Sequence, residues 1–293
     1  MIRLAAAAYP IERLGNWHAL ETKLAAWMAE AKAGGADLAV LPEYAGVEAA
    51  LIDGPDTAEV STWCVRAADA ASDYLDLVQN LAARFELSIL SGSCPARGPA
   101  GLTNRAYLIH GGRAQPIDKT ILTPWEARHT PLRPGLGPKV FDTDLGQLGA
   151  VICYDSEFPT LVRPLAADLL LIPSCTDSWA GQSRVEIAAR ARALEGLCIT
   201  VQAPLLGAVQ GCELVDENYG RAGIYAPPDQ GFPEYGILAQ GGRNQPGWVF
   251  AEYQPQDLAN ARETGAVAVW RDWPDVAPIP QKGGKLHFLK DRP

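Results

Sequence analysis

Histidine is scarce in this chain, with four in 293 residues (His18, His110, His129, His287), and they stand far apart. None of the six cysteines (Cys64, Cys94, Cys153, Cys175, Cys198, Cys212) forms a C-x-x-C pair, so a zinc site built by local spacing is excluded. Six cysteines in a chain this long do not make the disulfide scaffold of a short secreted domain, and a reducing cytoplasm is the expected compartment. The sequence has no G-x-S-x-G, no G-x-x-x-x-G-K-[ST] and no G-x-G-x-x-G, which removes the serine-hydrolase elbow and both glycine-rich phosphate cradles. No apolar run approaches the roughly 20 residues that span a bilayer. Positive charge is in the minority, 25 Lys and Arg against 34 Asp and Glu, and a net charge of −9 repels phosphate backbones, so no nucleic-acid partner is expected.

What the chain does have is alternation. Asn16 is placed to cap a helix with an apolar face of Leu20, Leu24, Trp27, Met28 and Ala31, ending at Gly34-Gly35. Leu4 to Tyr9 reads as a first buried strand, being too short for the apolar region of a signal peptide. Leu38 to Leu41 is a second, stopped by Pro42. A long helix carries Cys64, Ala68, Ala71, Leu75, Val78, Leu81 and Phe85 and feeds a strand at Ser88 to Ser91. A hairpin is expected around Gly111-Gly112. Leu148 to Cys153, Leu169 to Ile172 and Cys198 to Gln202 read as strands, with helices over Leu161 to Ala167 and Gln182 to Leu197. The last third reads as short strands broken by Gly and Pro. No linker, repeat or low-complexity run divides the chain. One α/β domain over 1–276 is expected, with a tail over 277–293 that packs on a partner subunit or is disordered.

Three segments place chemistry-bearing residues at the ends of predicted strands, where α/β proteins build their sites. In Leu41-Pro42-Glu43-Tyr44 a carboxylate follows an apolar strand, and burial there would raise its pKa toward a general base's range. In Asp118-Lys119-Thr120-Ile121-Leu122-Thr123-Pro124-Trp125-Glu126, Lys119 is either a solvated charge or a fixed cation for a negative intermediate. Glu126 could orient that lysine or bind substrate. In Val151-Ile152-Cys153-Tyr154-Asp155-Ser156-Glu157-Phe158-Pro159, Cys153 ends a buried strand before a helix. A thiol at such a turn has backbone N–H groups beside it, which favour thiolate and offer oxyanion donors.

In the order Glu, Lys, Cys, with the flanks L-P-E-Y, K-T-I-L-T-P-W-E and C-Y-D-S-E-F-P, the chain resembles the nitrilase superfamily of carbon–nitrogen hydrolases. The likeness extends through Pro173-Ser174-Cys175-Thr176, Arg190-Ala191-Arg192-Ala193-Leu194-Glu195 and Gly220-Arg221-Ala222-Gly223-Ile224-Tyr225-Ala226-Pro227, and covers Ile2 to about Trp270. Gly196, Ala222 and Thr160 depart from residues common in the family, but none of the three is a candidate catalytic residue.

The resemblance implies a single-domain α/β fold, an α-β-β-α sandwich, and assembly as a homodimer or higher homo-oligomer. It implies Glu43 as general base, Cys153 as nucleophile, and Lys119 with the backbone N–H of Tyr154 as oxyanion donors. Glu126 would help position substrate. For the acyl pocket the expected residues are Tyr44, Trp125, Thr176 and Trp179, the last on a loop from Thr176 to Gly181. Asp155 and Glu157 would brace the elbow or bound the pocket, Cys175 would be a buried small residue, and Arg184 and Arg190 would lie on a solvated helix face. No cofactor and no metal is implied, and the partner is a small-molecule amide. Cys153-Tyr154-Asp155 resembles the amidase and carbamoyl-amide branches, not the nitrile-cleaving one. An amidase acting on a small linear amide through a thioester is the first expectation, and N-carbamoyl amine or amino-acid hydrolysis the second. An acyltransferase and a non-catalytic binding protein remain open.

Overall fold

The computed structural model describes residues 1–273; the tail expected from Ala277 lies outside the described residues. Twelve strands run β1 (Ile2–Pro10), β2 (Leu38–Leu41), β3 (Ser88–Gly98), β4 (Gly101–His110), β5 (Arg113–Asp118), β6 (Val140–Thr143), β7 (Gly146–Ala150), β8 (Leu169–Ser174), β9 (Ile199–Leu206), β10 (Gly223–Tyr225), β11 (Ile237–Gln240) and β12 (Gly247–Tyr253). The helices are α1 (Trp17–Ala33), α2 (Glu48–Leu51), α3 (Val60–Phe85), α4 (Pro124–His129), α5 (Pro159–Val162), α6 (Trp179–Gly196), α7 (Pro255–Thr264) and α8 (Val269–Asp272).

Six strands pair in the order β5-β4-β3-β2-β1-β12, and six more in the order β6-β7-β8-β9-β10-β11. The two sets join at one corner, where β1 meets β9 through Tyr9↔Leu205 and Pro10↔Leu206. Side chains of a strand alternate between faces, so a strand buried on both sides must be apolar throughout. In β1 Leu4, Ala6 and Ala8 face the core shared with the second sheet, while Ala5, Ala7 and Tyr9 face the layer of α1 and α3. Strand β2 splits the same way, Leu38 and Val40 against Ala39 and Leu41. On the far side α6 adds Val185, Ala189 and Ala193 to the second sheet's core. The result is the expected α-β-β-α sandwich.

Local expectations hold at the N-terminal half. Asn16 Oδ1 accepts from Ala19 N–H at 2.9 Å, and α1 buries Leu20, Leu24, Met28 and Ala31. Three expectations need correction. Strand β7 stops at Ala150, and Cys153 lies beyond it in a 3₁₀ turn, Cys153–Glu157. The helix expected over Leu161 to Ala167 is instead the single turn α5 and a 3₁₀ turn ended by Ala166 at φ 48°. The last third contains α7 as well as strands; Pro255, read as a breaker, occupies its first turn, where its missing N–H costs nothing.

Candidate active site

Glu43, Lys119, Glu126 and Cys153 come together at the ends of β2, β5, the first turn of α4 and the turn after β7. Pro42 ends β2, and Glu43 follows with 1% exposure. The chain then turns sharply through Tyr44 at φ 61°, whose N–H donates to Ser93 Oγ at 3.0 Å. Strand β3 can pass this close only because residue 92 is glycine, at φ 73°: a Cβ there would lie 2.6 Å from Pro42 O.

Lys119, also 1% exposed, donates from Nζ to Glu43 Oε1 at 2.9 Å and to Glu126 Oε1 at 2.8 Å. A lone ammonium at that depth would lose its proton, because burial disfavours charge. Here burial is outweighed by the charges of Glu43 and Glu126, and the Lys119 pKa is held well above its ordinary value. An ammonium has three N–H donors, and two carboxylates leave one for a further acceptor.

The two glutamates differ. Burial raises the Glu43 pKa, and the pull of Lys119 does not cancel it because Glu126 pushes the same way as burial. Burial also acts on Glu126, but the charge and hydrogen bonds of Lys119, with the Tyr44 hydroxyl and Thr123 N–H, take its pKa below the ordinary value. Glu126 is held twice over: it closes a capping box with Thr123 at the start of α4 and accepts Tyr44 Oη–H at 2.6 Å. The site thus lowers the proton affinity of Glu126 and raises that of Glu43.

Cys153 is 5% exposed, and φ 50° puts it in the left-handed region, a strained position for a residue with a Cβ. Its Sγ–H points to Cys175 O at 3.6 Å. Burial and the nearby Glu43 charge push the thiol pKa well above its ordinary value, with Lys119 opposing. Burial thus favours the neutral thiol at Cys153. Asp155 braces the elbow: its carboxylate accepts Thr120 N–H at 2.9 Å and Ile121 N–H at 2.7 Å, tying the chain after Lys119 to the turn that holds Cys153.

Two further contacts to Glu43 were not expected from the sequence. Asn104 on β4 is fully buried and donates from Nδ2 to Glu43 Oε1 at 2.9 Å. Cys175 follows β8, and its backbone N–H donates to Glu43 Oε2 at 2.9 Å. Expected as a buried small residue, Cys175 is in fact half-buried, with Sγ–H donating to Asn218 Oδ1 at 2.9 Å. The hairpin expected around Gly111-Gly112 carried no sign of which side chain would reach Glu43.

The four expected pocket residues sit in different surroundings. Tyr44 is buried and spends its hydroxyl on Glu126. Trp125 is 39% exposed and lies against His129, with ring centroids 5.7 Å apart. Thr176 donates to Tyr219 O at 2.8 Å. Trp179, expected on a loop, is the first residue of α6, capped by Ser178 Oγ accepting from Gly181 N–H. Its ring lies between Tyr219 (6.1 Å) and the Arg243 guanidinium (4.5 Å). Tyr154 is half-buried and packs edge-on against Phe158 at 4.9 Å. Arg184 pairs with Glu157 at the surface, and Arg190 donates to Tyr235 O at 3.1 Å, as expected of a solvated face. Among the described residues no His, Cys, Asp and Glu cluster is fit to hold a metal ion, and no helix is long and apolar enough to cross a membrane.

Comparison with known proteins places the chain in a family. The family model described as carbon-nitrogen hydrolase matches residues 3–263. The Bacillus subtilis protein YhcX, named a probable hydrolase, is 28% identical over 276 residues, which is 92% of this chain and 53% of YhcX. The chain therefore spans about half the length of that relative. A Synechocystis protein named deaminated glutathione amidase is 31% identical over 205 residues, covering 64% of this chain and 71% of its own. Saccharomyces cerevisiae Nit3, a member of branch 10 of the nitrilase superfamily, superposes with a TM-score of 0.69 at 20% identity over 89% of this chain and 93% of Nit3. The NitN amidase of Nesterenkonia sp. AN1 gives 0.66 at 24% identity over 90% and 97%. At these identities the two structures establish the shared fold.

Proposed function

The chain belongs to the carbon–nitrogen hydrolase family of the nitrilase superfamily, and on that premise we propose that it is a cysteine-dependent amidase releasing ammonia from a small linear amide. The observation that carries the proposal is the Lys119 ammonium held between Glu43 and Glu126 beside the Cys153 thiol. The near-complete burial of all four side chains favours a small acyl group, since a bulky one would have to displace packed structure.

In the proposed cycle the Cys153 S–H proton passes to Glu43 as sulfur bonds to the amide carbon. The carbonyl π-electrons move to oxygen, and the oxyanion takes the remaining Lys119 N–H and the Tyr154 backbone N–H. Collapse breaks the C–N bond while Glu43 returns its proton to nitrogen, and ammonia leaves. Water then attacks the thioester, giving a proton to Glu43. Loss of the thiolate, reprotonated by Glu43, frees the acid and restores the site. One preorganised oxyanion donor of this kind is worth about 10²–10³ in rate. The test is ammonia release across a panel of linear amides, N-carbamoyl compounds and nitriles, with Cys153→Ala as the blank. Release from the amides alone supports the proposal; release from N-carbamoyl compounds or nitriles alone, or equal release in the blank, overturns it.

A further inference from the structure

Glu43 and Lys119 arrive at the site from different strands, and one residue touches both. The Asn104 side chain donates to Glu43 Oε1 at 2.9 Å, and its backbone carbonyl accepts Lys119 N–H at 2.8 Å. A carboxylate only accepts hydrogen bonds, so the Asn104 amide must present its NH₂ to Glu43 and turn its carbonyl oxygen elsewhere. That oxygen, Oδ1, is buried and has no partner among the described residues. A fully buried amide with half its polar capacity unmet is a poor choice for stability alone. Building on the reading of Glu43 as the base, we propose that Asn104 is a positioning residue that fixes the proton-accepting oxygen of Glu43 and sets the pH at which the Glu43–Cys153 pair becomes reactive.

The donor count gives the reason. Glu43 Oε1 is taken by two donors, Asn104 Nδ2 and Lys119 Nζ, while Oε2 has one, the Cys175 N–H. An sp² oxygen offers two lone-pair directions, so Oε1 is filled and the free one is on Oε2. Asn104 thus leaves Oε2 as the atom that takes the thiol proton. Its N–H also stabilises the charged form of Glu43, so it limits how far burial raises the proton affinity of the base. Without it Glu43 would hold its proton to higher pH, and rotation about the carboxylate would no longer be fixed by two donors on one oxygen.

The experiment needs no knowledge of the substrate. The rate of alkylation by iodoacetamide is followed from pH 4 to 10 and located at Cys153 by mass spectrometry, for the wild type, Glu43→Gln, Asn104→Ala and Asn104→Leu. In the wild type the rate should rise along an acid limb set by Glu43, and Glu43→Gln should abolish that limb. Asn104→Ala should move the limb up by about one pH unit, the scale of one hydrogen bond to a charged group. Asn104→Leu keeps the volume and the backbone bond to Lys119 without adding a charge, so it serves if the alanine variant does not fold, and should move the limb the same way. A merely structural residue would change the amount of folded protein and leave the limb in place. If Glu43→Gln abolishes the limb while both Asn104 variants superimpose on the wild type, Asn104 has no such role and the base assignment survives. If Glu43→Gln leaves the limb intact, the base assignment fails and takes this inference with it.

Discussion

The backbone N–H of Cys175 donates to Glu43 Oε2 at 2.9 Å, so the end of β8 in one sheet holds a carboxylate carried by β2 in the other. Cys153 closes the same loop by pointing its thiol at Cys175 O, 3.6 Å away. One peptide segment therefore orients both partners of the proposed proton transfer. The strand corner that joins the sheets, Tyr9↔Leu205, keeps the two halves in fixed relation, which a transfer sensitive to ångström displacements requires.

Removing the thiol should separate chemistry from folding. Cys153→Ala is expected to eliminate ammonia release while leaving the circular dichroism spectrum and melting temperature close to wild type, because the change relieves a left-handed backbone position only slightly and removes one sulfur. Cys64→Ala, in the fully buried face of α3, should keep activity and lose about 1 kcal/mol of stability, measured by urea unfolding.

The two glutamates should respond to pH with opposite signs. The folded pKa of Glu43 is raised above its ordinary 4.5, so the native state holds a proton that the unfolded chain gives up. Its favourable contribution is present below about 4.5 and is lost as pH rises through the raised value. Glu126 is lowered, so its contribution is present above 4.5 and is lost as pH falls through the depressed value. Glu43→Gln should therefore melt higher than wild type at pH 8, with the gap closing by pH 4, and be inactive. Glu126→Gln should melt lower than wild type at pH 8. Melting curves at the two pH values read both effects, and a Glu43→Gln protein less stable at pH 8 would contradict the assignment.

How much of this was legible is instructive at particular residues. Glu43, Lys119 and Cys153 stood out because each lies at or just after the end of a predicted strand and carries a distinctive flank. Glu126 was legible through the K-T-I-L-T-P-W-E flank, seven residues after Lys119, whereas the capping box with Thr123 that pins its carboxylate emerged only in the structure. Asn104 was not, because its role depends on which face of β4 meets Glu43 across a strand pairing with no local signature. Cys175 was hidden for a different reason: its contribution is a backbone N–H, which every residue but proline possesses. Trp125 carried no sign of its direction: on α4, Glu126 turns inward while Trp125 is 39% exposed.

Trp125 and Trp179 accordingly should differ in effect. Trp125→Ala removes a ring 39% exposed and leaning on His129, and should change kcat/KM by no more than about twofold, the range of ordinary surface substitutions. Trp179→Ala removes a ring held between Tyr219 and Arg243 at the start of α6, three residues beyond Thr176. It should raise KM more than it lowers kcat. Steady-state kinetics on the amide identified by the panel distinguish the two, and a larger effect at Trp125 would place the pocket on the α4 side instead.

Loss of the cation should be the most damaging change. Lys119→Ala removes the cation that pairs with both Glu43 and Glu126, and leaves two buried carboxylates facing each other. Breaking a buried pair in this way costs about 3–5 kcal/mol, far more than the median exposed salt bridge, because the remaining charge keeps its desolvation penalty. The site has a partial escape, since Glu43 already has a raised proton affinity and can take up a proton once Lys119 is gone. The instability should therefore be largest at alkaline pH and shrink toward pH 4, as Glu43 becomes neutral. Activity should not return at low pH, because a protonated Glu43 cannot accept the thiol proton and the oxyanion has lost its ammonium. Lys119→Met, which fills the volume without charge, should show the same pH trend with a smaller destabilisation. Urea unfolding at pH 5 and 8 measures the trend, and a penalty that did not grow with pH would mean that the carboxylates are not electrostatically coupled through Lys119.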